Sequence, residues 1–472
     1  MADNKKMNLI TPRDVDFAKW YTDVVKNAGL IDYGHVKGTI IFKPYGYAIW
    51  ENIQKILDAE FKKLGVENVY FPLLIPKSLL LKEADHVEGF APELATVTKV
   101  GDKTLEEELY IRPTSEVLIM THFAKEVKSY RDLPLIYNQW TNVMRWEKTT
   151  RPFLRTSEFL WQEGHTIHSN PEEAKNLTLK MLEVYAQFAE TALAIPVIRG
   201  QKTEHEKFAG AAETYTIESI MYDGQALQSG TSHYFGDNFT KAFDIKFQNN
   251  NQKEEYGYTT SWGVSTRLIG AIIMTHADDF GLVLPSAVSP VQVQIIKIKD
   301  TPEINTVVKD IQTNLNQYRL FVDETDKSFG YKISEAEIKG VPIRIEIGPR
   351  DLENGCVTIS RRDLRNKVQV KLADIVDYVN TEIVAYDAAL FATALKNSEA
   401  KTFQATTMSE YQTILAKGNG IVLVPFCGDV KCEADVKQKT ATNSRCIKEQ
   451  KKGKCFNCNK DSELMVYFGR AY

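Results

Sequence analysis

Phe159, Trp161, Glu163 and His165 occupy alternate positions of FLWQEGH, and a period of two sends all four side chains to one face of a β-strand. A face with two aromatics, a carboxylate and an imidazole is poor core material, because an unpaired buried charge costs several kcal/mol. The fold must therefore turn this face toward a cavity or an ion-pair network. Arg145, Glu147, Arg151 and Arg155 stand just before it, on or near two strand-like pieces joined by KTTRP. Guanidinium forks meet phosphate or carboxylate oxygens in a geometry that lysine does not reproduce. A ligand pocket accounts for the block better than surface salt bridges, which remain the alternative from charge alone.

Cysteine spacing adds a second constraint. Four of six cysteines form Cys427-x4-Cys432 and Cys455-x2-Cys458, with 22 residues between the pairs. Two close pairs can bring four thiolates to tetrahedral distance, near zinc-ribbon spacing, so a metal site is a better reading than disulfides. Scattered thiols remain the alternative, since the four-residue gap is looser than a plain CxxC. No histidine follows His276, so cysteines must supply most ligands; Cys356 and Cys446 are left over, and Cys446 could contest a position.

The whole chain is 43% hydrophobic and 25% charged with a net charge of −4, ordinary globular composition that excludes disorder, collagen and a disulfide scaffold. At roughly 100–200 residues per domain, 472 residues predict two to four domains. No run of about 18 apolar residues is present, so no membrane span is expected. MADNKKMNLI lacks the apolar core of a signal peptide, and a cytoplasmic protein is expected.

In GYAIWENIQKILDAEFKKLG, Ile49, Ile53, Ile56, Leu57, Phe61 and Leu64 follow helical spacing, and Gly65 is a plausible C-terminal cap. VENVYFPLLIP reads as a strand at an edge or interface, punctuated by Pro72 and Pro76. A helix is predicted over about 171–194, a strand-rich block over 217–247, and a buried helix in the second half of YTTSWGVSTRLIGAIIMTHADD. After GLVLPSAVSP, strands and helices alternate with short turns, which predicts an α/β domain with a mostly parallel or mixed sheet over 286–394. A third unit, 395–472, carries the cysteine pairs. Between Lys431 and Lys460, nine Lys/Arg face three Asp/Glu, an excess of +6 that suits a polyanion or forms a solvated charged face.

RPTSE, NVMRWE, RPFLRTSEFLWQEGHT, LQSGTSH and SWGVSTRLIG follow one another in an order that closely resembles class II aminoacyl-tRNA synthetases, specifically prolyl-tRNA synthetases of the archaeal/eukaryotic-like type. The resemblance covers essentially the whole chain. It implies an α/β protein with an α+β catalytic core: a class II antiparallel sheet with flanking helices over 1–285, an α/β anticodon-binding domain over 286–394 and a C-terminal zinc-bearing α/β domain over 395–472. The implied reaction joins proline and ATP into prolyl-adenylate and pyrophosphate, then moves the prolyl group to the 3′ end of tRNA(Pro). Neither step needs a protein nucleophile, so the protein has to position reactants and stabilise phosphoryl charge.

By the same resemblance, Arg145 would bridge the proline carboxylate and the α-phosphate, and Arg267 would contact the γ-phosphate; these two are the expected catalytic residues. Glu147 would accept from the adenine amino group, Phe159 would stack on the base, Arg155 would hold phosphates, and Gln228 and Thr231 would complete the ATP contacts. Magnesium should accompany ATP, with Glu147 and Gln228 as candidate ligands. Thr114 and Glu116 would receive the proline ammonium, and Trp161, Glu163, His165 and Phe208 would shape the pocket with His233 and Ser261 close by. Alanine would lose only modest contact energy and could be misactivated. The short interval between Glu163 and Arg267 leaves no room for an inserted editing domain.

Guanine-bearing anticodons suit arginine and carboxylate readers, which makes Glu346, Arg350 and Asp351 the candidates, with Arg344 in reserve; a mutual Arg350–Asp351 pair is the alternative. Cys427, Cys432, Cys455 and Cys458 would hold a structural zinc, and Tyr472 would reach toward the active site. A homodimer is expected through the GYAIW helix and the strand ending at Pro72, with no membrane and no DNA partner. Threonyl- or glycyl-type synthetases and a non-catalytic tRNA-binding paralogue are the rivals; WQEGHT with RPTSE argues against the first, and the presence of Arg145 and Arg267 against the second.

Overall fold

Helical spacing near the N-terminus resolves into α1 (Phe17–Asn27) and α2 (Pro44–Lys63) in the computed structural model, which describes residues 10–81 and 94–472. Asp16 caps α1 by accepting from the Lys19 amide at 2.9 Å, and Pro44 opens α2, where a missing N–H leaves no bond unmade. Gly65 follows α2 at φ +76°, a left-handed conformation glycine adopts without a Cβ penalty. The predicted face of Ile49, Ile53, Leu57 and Phe61 is buried. The strand expected over VENVYFPLLIP is broken instead into β1 (Glu67–Asn68) and a separate piece, Leu74–Pro76, with no strand around Pro72. Proline removes the ladder donors that a continuous strand would need.

After α3 (Glu116–Glu126), long strands take over: β2 (Leu135–Met144) and β3 (Glu158–His168), then α4 (Pro171–Thr191), β4 (Val197–Gln201), β5 (Glu213–Ile220), β6 (Ala226–Gly236), β7 (Tyr258–Ser265) and α5 (Arg267–His276). Their spatial order is β1-β2-β3-β7-β6-β5-β4. All neighbours are antiparallel except β1 and β2. α4 and α5 cover one face, where Tyr185, Ile217, Leu227, Trp262, Val264 and Leu268 share a core with α1 and α2. The opposite face of β3, β7 and β6 mixes aromatic and polar side chains around a cleft.

The middle domain contains β8 (Val293–Lys297), α6 (Pro302–Asn314), β9 (Leu320–Asp323), α7 (Phe329–Ile338), β10 (Ile343–Ile347), α8 (Pro349–Glu353), β11 (Cys356–Arg361), β12 (Val368–Lys371) and α9 (Ile375–Ala400). Its order is β9-β8-β10-β11-β12, parallel through β10 and antiparallel after it, the expected mixed sheet. α9 runs six residues past the expected boundary at 394, because its lower half packs Ile375, Val379 and Ile383 on this sheet and its upper half packs Tyr386 and Leu390 against Ala194 and Val283. The SAVSP linker is pinned by Arg319, which donates to the carbonyls of Ser286, Ala287 and Ser289.

The C-terminal unit adds β13 (Thr402–Gln404), α10 (Met408–Ala416), β14 (Ile421–Phe426), α11 (Val430–Thr440), β15 (Asn443–Lys454) and β16 (Asp461–Gly469). It is not a separate layer. β15 pairs with β4 at Ile447 and Gln201, so the order β13-β14-β16-β15 continues the N-terminal sheet to eleven strands.

Candidate active site

Phe159, Trp161, Glu163 and His165 do share one face of β3, and that face walls a cleft of about 250 Å3. β7 lies beside β3 with Ser261 opposite His165, and β6 lies beside β7 with His233 opposite Ser261. Three polar residues from three strands thus meet in one row across the sheet. In β6, Ser229 is an extra residue between Gly230, which pairs with Ile217, and Gln228, which pairs with Glu218. This bulge reverses the strand's parity, so Gln228 joins Thr231 and His233 in the lining although its spacing from them is odd. Thr114, Glu116 and Phe208 close one end; Arg145, Glu147, Arg155 and Arg267 line the other parts. Every residue expected to meet proline or ATP therefore lines the same cleft.

Glu163 is fixed rather than free. It accepts from the Ser115 amide at 3.2 Å, the Ser115 hydroxyl, Gln139 Nε2 at 2.5 Å, and His165 Nε2 at 3.1 Å. Burial works to lower the His165 pKa, but the hydrogen bond to Glu163 and the charges of Glu116 and Glu163 outweigh it and raise the pKa. His233 goes the other way: burial pulls it down to about 4, so it is neutral near pH 7. Its Nδ1 meets Thr214 Oγ1 at 3.0 Å. Glu116, buried, accepts from the Thr114 hydroxyl. Among the described residues, Trp161 Nε1 and His165 Nδ1 have no hydrogen-bond partner, a feature of a wall built for something else to complete.

Three guanidinium groups crowd the cleft. Arg145 lies 5.5 Å from the Phe159 ring and 5.6 Å from that of Trp161, and donates from Nε to the Pro113 carbonyl at 3.1 Å. Arg155 Nε stands 3.6 Å from Glu147 Oε1. Arg267 donates to the Leu154 carbonyl at 3.2 Å. Burial first, then repulsion from Arg145 and Arg155, pulls the Arg267 pKa down to about 10, so it stays charged at neutral pH. Such a cluster is costly alone and well matched to a polyphosphate. Ser115 and Gln139, the holders of Glu163, were not expected, though Ser115 lies inside RPTSE, and neither was Lys202, which lines the cleft from a segment with no motif.

The middle-domain candidates do not form one presented set. Glu346 is buried, accepting from Arg344 at 2.9 Å and Lys367 at 2.6 Å, so its carboxylate and the Arg344 guanidinium are spent on each other. Asp351 caps α8 by accepting from the Gly348 amide at 2.9 Å. Arg350 is exposed, and no ion pair joins it to Asp351 among the described residues. The basic stretch is also thinner than its count: Arg445 is buried against Glu218, and Lys439 and Lys454 are paired with Asp435 and Asp461.

Cys427, Cys432, Cys455 and Cys458 converge, with all four sulfurs within 4.8 Å of one another. The Cys432–Cys455 and Cys427–Cys458 Sγ separations are 3.8 and 3.7 Å. Tetrahedral zinc with bonds of about 2.3 Å requires sulfurs about 3.8 Å apart, so the donor set fits that ion. Cys446 is buried elsewhere, against Gly200, and does not compete. Tyr472 donates to Asp223 at 2.7 Å with its ring 5.6 Å from the Arg151 guanidinium. It abuts the loop between β2 and β3 and is not among the cleft-lining residues.

Known proteins align with this arrangement in order. The class II core domain of tRNA synthetases (G, H, P, S and T) matches residues 98–276, the anticodon binding domain 292–382 and the prolyl-tRNA synthetase C-terminal domain 408–472. The proline–tRNA ligase of Mesoplasma florum is 67% identical over 99% of this chain and 100% of its own length. That of Mycoplasma capricolum is 65% identical over the same shares, and that of Ruminiclostridium cellulolyticum 52% identical over all of both chains. With the cleft, the anticodon-type domain and the cysteine unit matched across the full length, the chain belongs to the prolyl-tRNA synthetases, class II aminoacyl-tRNA synthetases.

Proposed function

We propose that the cleft activates proline with ATP and that the chain then transfers the prolyl group to tRNA(Pro). The observation that carries this is the meeting of the ammonium-type acceptors Thr114 and Glu116, the ring-sized walls Trp161 and Phe208, and three arginines in one cleft. In this reading the proline carboxylate attacks the α-phosphorus and pyrophosphate leaves. Arg145 and Arg267 stabilise the charge that develops on phosphoryl oxygens, and Arg155 holds the phosphates. Glu147 and Phe159 take the adenine, with Gln228 and Thr231 beside it. Glu116 and Thr114 receive the ammonium; Glu163, His165, His233 and Ser261 set the shape around the ring. Magnesium, when bound, neutralises the pyrophosphate leaving group. Glu147 and Gln228 supply oxygen donors in the same lining, which suits an ion that takes few protein ligands and keeps substrate phosphates and waters.

The cysteine unit would hold a closed, structural zinc. The relatives quoted above are bacterial, so the archaeal/eukaryotic-like subtype rests on architecture: the cysteine-bearing C-terminal unit and a Glu163–Arg267 interval occupied by the sheet strands and α4. That interval supports the absence of an editing insert, and misformed alanyl-tRNA(Pro) would not be hydrolysed in this chain. The middle domain would bind the anticodon arm, with exposed Arg350 its best remaining candidate. Exposed Tyr70, Leu73 and Leu74, on either side of Pro72 in the chain, support a homodimer through the region expected for it. No helix among the described residues is long and apolar enough to cross a membrane; a cytoplasmic location is inferred from the substrates of translation. Calorimetric titration with an unreactive prolyl-adenylate analogue tests the cleft: tight binding weakened at least about tenfold by Arg145→Ala is expected, and equal binding by both proteins refutes the assignment.

A further inference from the structure

Lys202 follows β4, and its amide donates to the Thr214 carbonyl at 2.8 Å, which holds it beside β5. Its side chain is only 2% exposed, yet the residue lines the cleft. Nζ donates to Glu218 Oε1 at 2.8 Å. Among the described residues this is the single hydrogen bond of that ammonium, so two of its three hydrogens are buried without a protein acceptor. Glu218 is itself fully buried and answers a second cation: Oε2 accepts from Arg445 Nε at 3.0 Å and Nη2 at 2.8 Å. Arg445 belongs to β15 of the C-terminal unit and reaches the cleft's back wall because β15 pairs with β4.

Lys202 thus shares its bonded carboxylate with a second cation, Arg445, which has Glu206 as a further acidic neighbour, and the Lys202 ammonium keeps donors to offer an anion in the cleft. The cluster sits between the two ends of the cleft: Lys202 is an electrostatic neighbour of His233, and Glu218 and Arg445 are neighbours of Arg267. We propose that Arg445 is a positioning residue of the cleft: it fixes Glu218, and Glu218 fixes the Lys202 ammonium as a donor to an anionic oxygen of the bound reactant, a carboxylate or a phosphoryl oxygen. The proposal rests on the activity proposed above and makes the C-terminal unit a contributor to activation through one buried ion pair.

Proline-dependent ATP–pyrophosphate exchange and thermal melts, run on the full chain and its variants, test this. Lys202→Met and Arg445→Met are each expected to lower kcat/KM at least about tenfold, Arg445→Lys to recover to within about threefold, and Lys202→Met/Arg445→Met to lose no more than Lys202→Met alone, because both act through one ammonium. A KM increase confined to proline identifies the carboxylate as the acceptor; one confined to ATP identifies a phosphoryl oxygen. Exchange by Arg445→Met within about twofold of the unaltered chain, or losses that multiply in the double variant, overturns the proposal. If Arg445→Met does not fold, the neutral pair Glu218→Gln/Arg445→Gln decides: loss comparable to Lys202→Met supports the role, and full exchange overturns it. An unaltered chain that exchanges with a different amino acid corrects the proposed function, and the same variants assayed with that amino acid still decide the role of Arg445.

Discussion

Glu163 shows how one residue sets the shape of the cleft without being free to react. Its carboxylate holds Ser115, Gln139 and His165 together, so three segments of chain meet at two oxygens. Glu163→Gln keeps the size but removes the charge and half the acceptor capacity; the KM for proline is expected to rise about tenfold with little change in the KM for ATP, measured by exchange kinetics. Equal changes in both constants would mean that Glu163 serves the whole cleft and not its proline end. His233 gives a pH signature. Its pKa falls from 6.5 to about 4, chiefly through burial, with His165 and Lys202 adding to the effect and Glu116 opposing it. The folded state therefore binds fewer protons than the unfolded chain in that window. The stabilisation is full above pH 6.5 and is lost as pH falls through about 4, on the order of 3 kcal/mol in all. Melting midpoints of His233→Gln should accordingly fall less steeply over that range than those of the unaltered chain. At this scale the sequence was most legible: a period of two assigned Phe159 through His165 to one wall. Lys202 and Arg445 were not legible, because a lysine outside any motif and an arginine in a basic stretch acquire meaning only when distant strands pair.

Among elements, the bulge at Ser229 is the clearest case of information absent from pattern. Alternation would send Gln228 and Thr231 to opposite faces of β6, and only the extra residue brings both into the cleft. The family strings named both residues without explaining how one strand could present them. α9 is similar: helical composition continues smoothly past 394, and the division of its two halves between different cores leaves no break in the text. The cysteine spacing, by contrast, predicted its own geometry, since two short-range pairs needed only one long-range approach. The unit should bind about one zinc per chain by elemental analysis. Stripping the metal is expected to lower hydrogen-exchange protection in 402–472 before it affects α4 and α5. Full protection of the C-terminal unit in the metal-free protein would contradict a structural role for the site.

Across the whole molecule, the middle domain was legible as a unit because its alternating strands and helices close their own core. The C-terminal unit was not, since its strands look self-sufficient in sequence while β15 extends the N-terminal sheet. That continuity runs from the cysteine cluster, through Arg445 and Glu218, to the cleft, so cysteine cluster and cleft share one continuous sheet. The three arginines of the cleft and the carboxylates and aromatics that share it both point to carboxylate activation on a nucleotide. ATP–pyrophosphate exchange by the purified chain, with proline run beside alanine, cysteine, glycine and threonine, tests it most directly. Exchange with proline well above the other four, abolished by Arg145→Ala, is the expected result. Exchange driven best by another amino acid, or undiminished in the Arg145 variant, would contradict it.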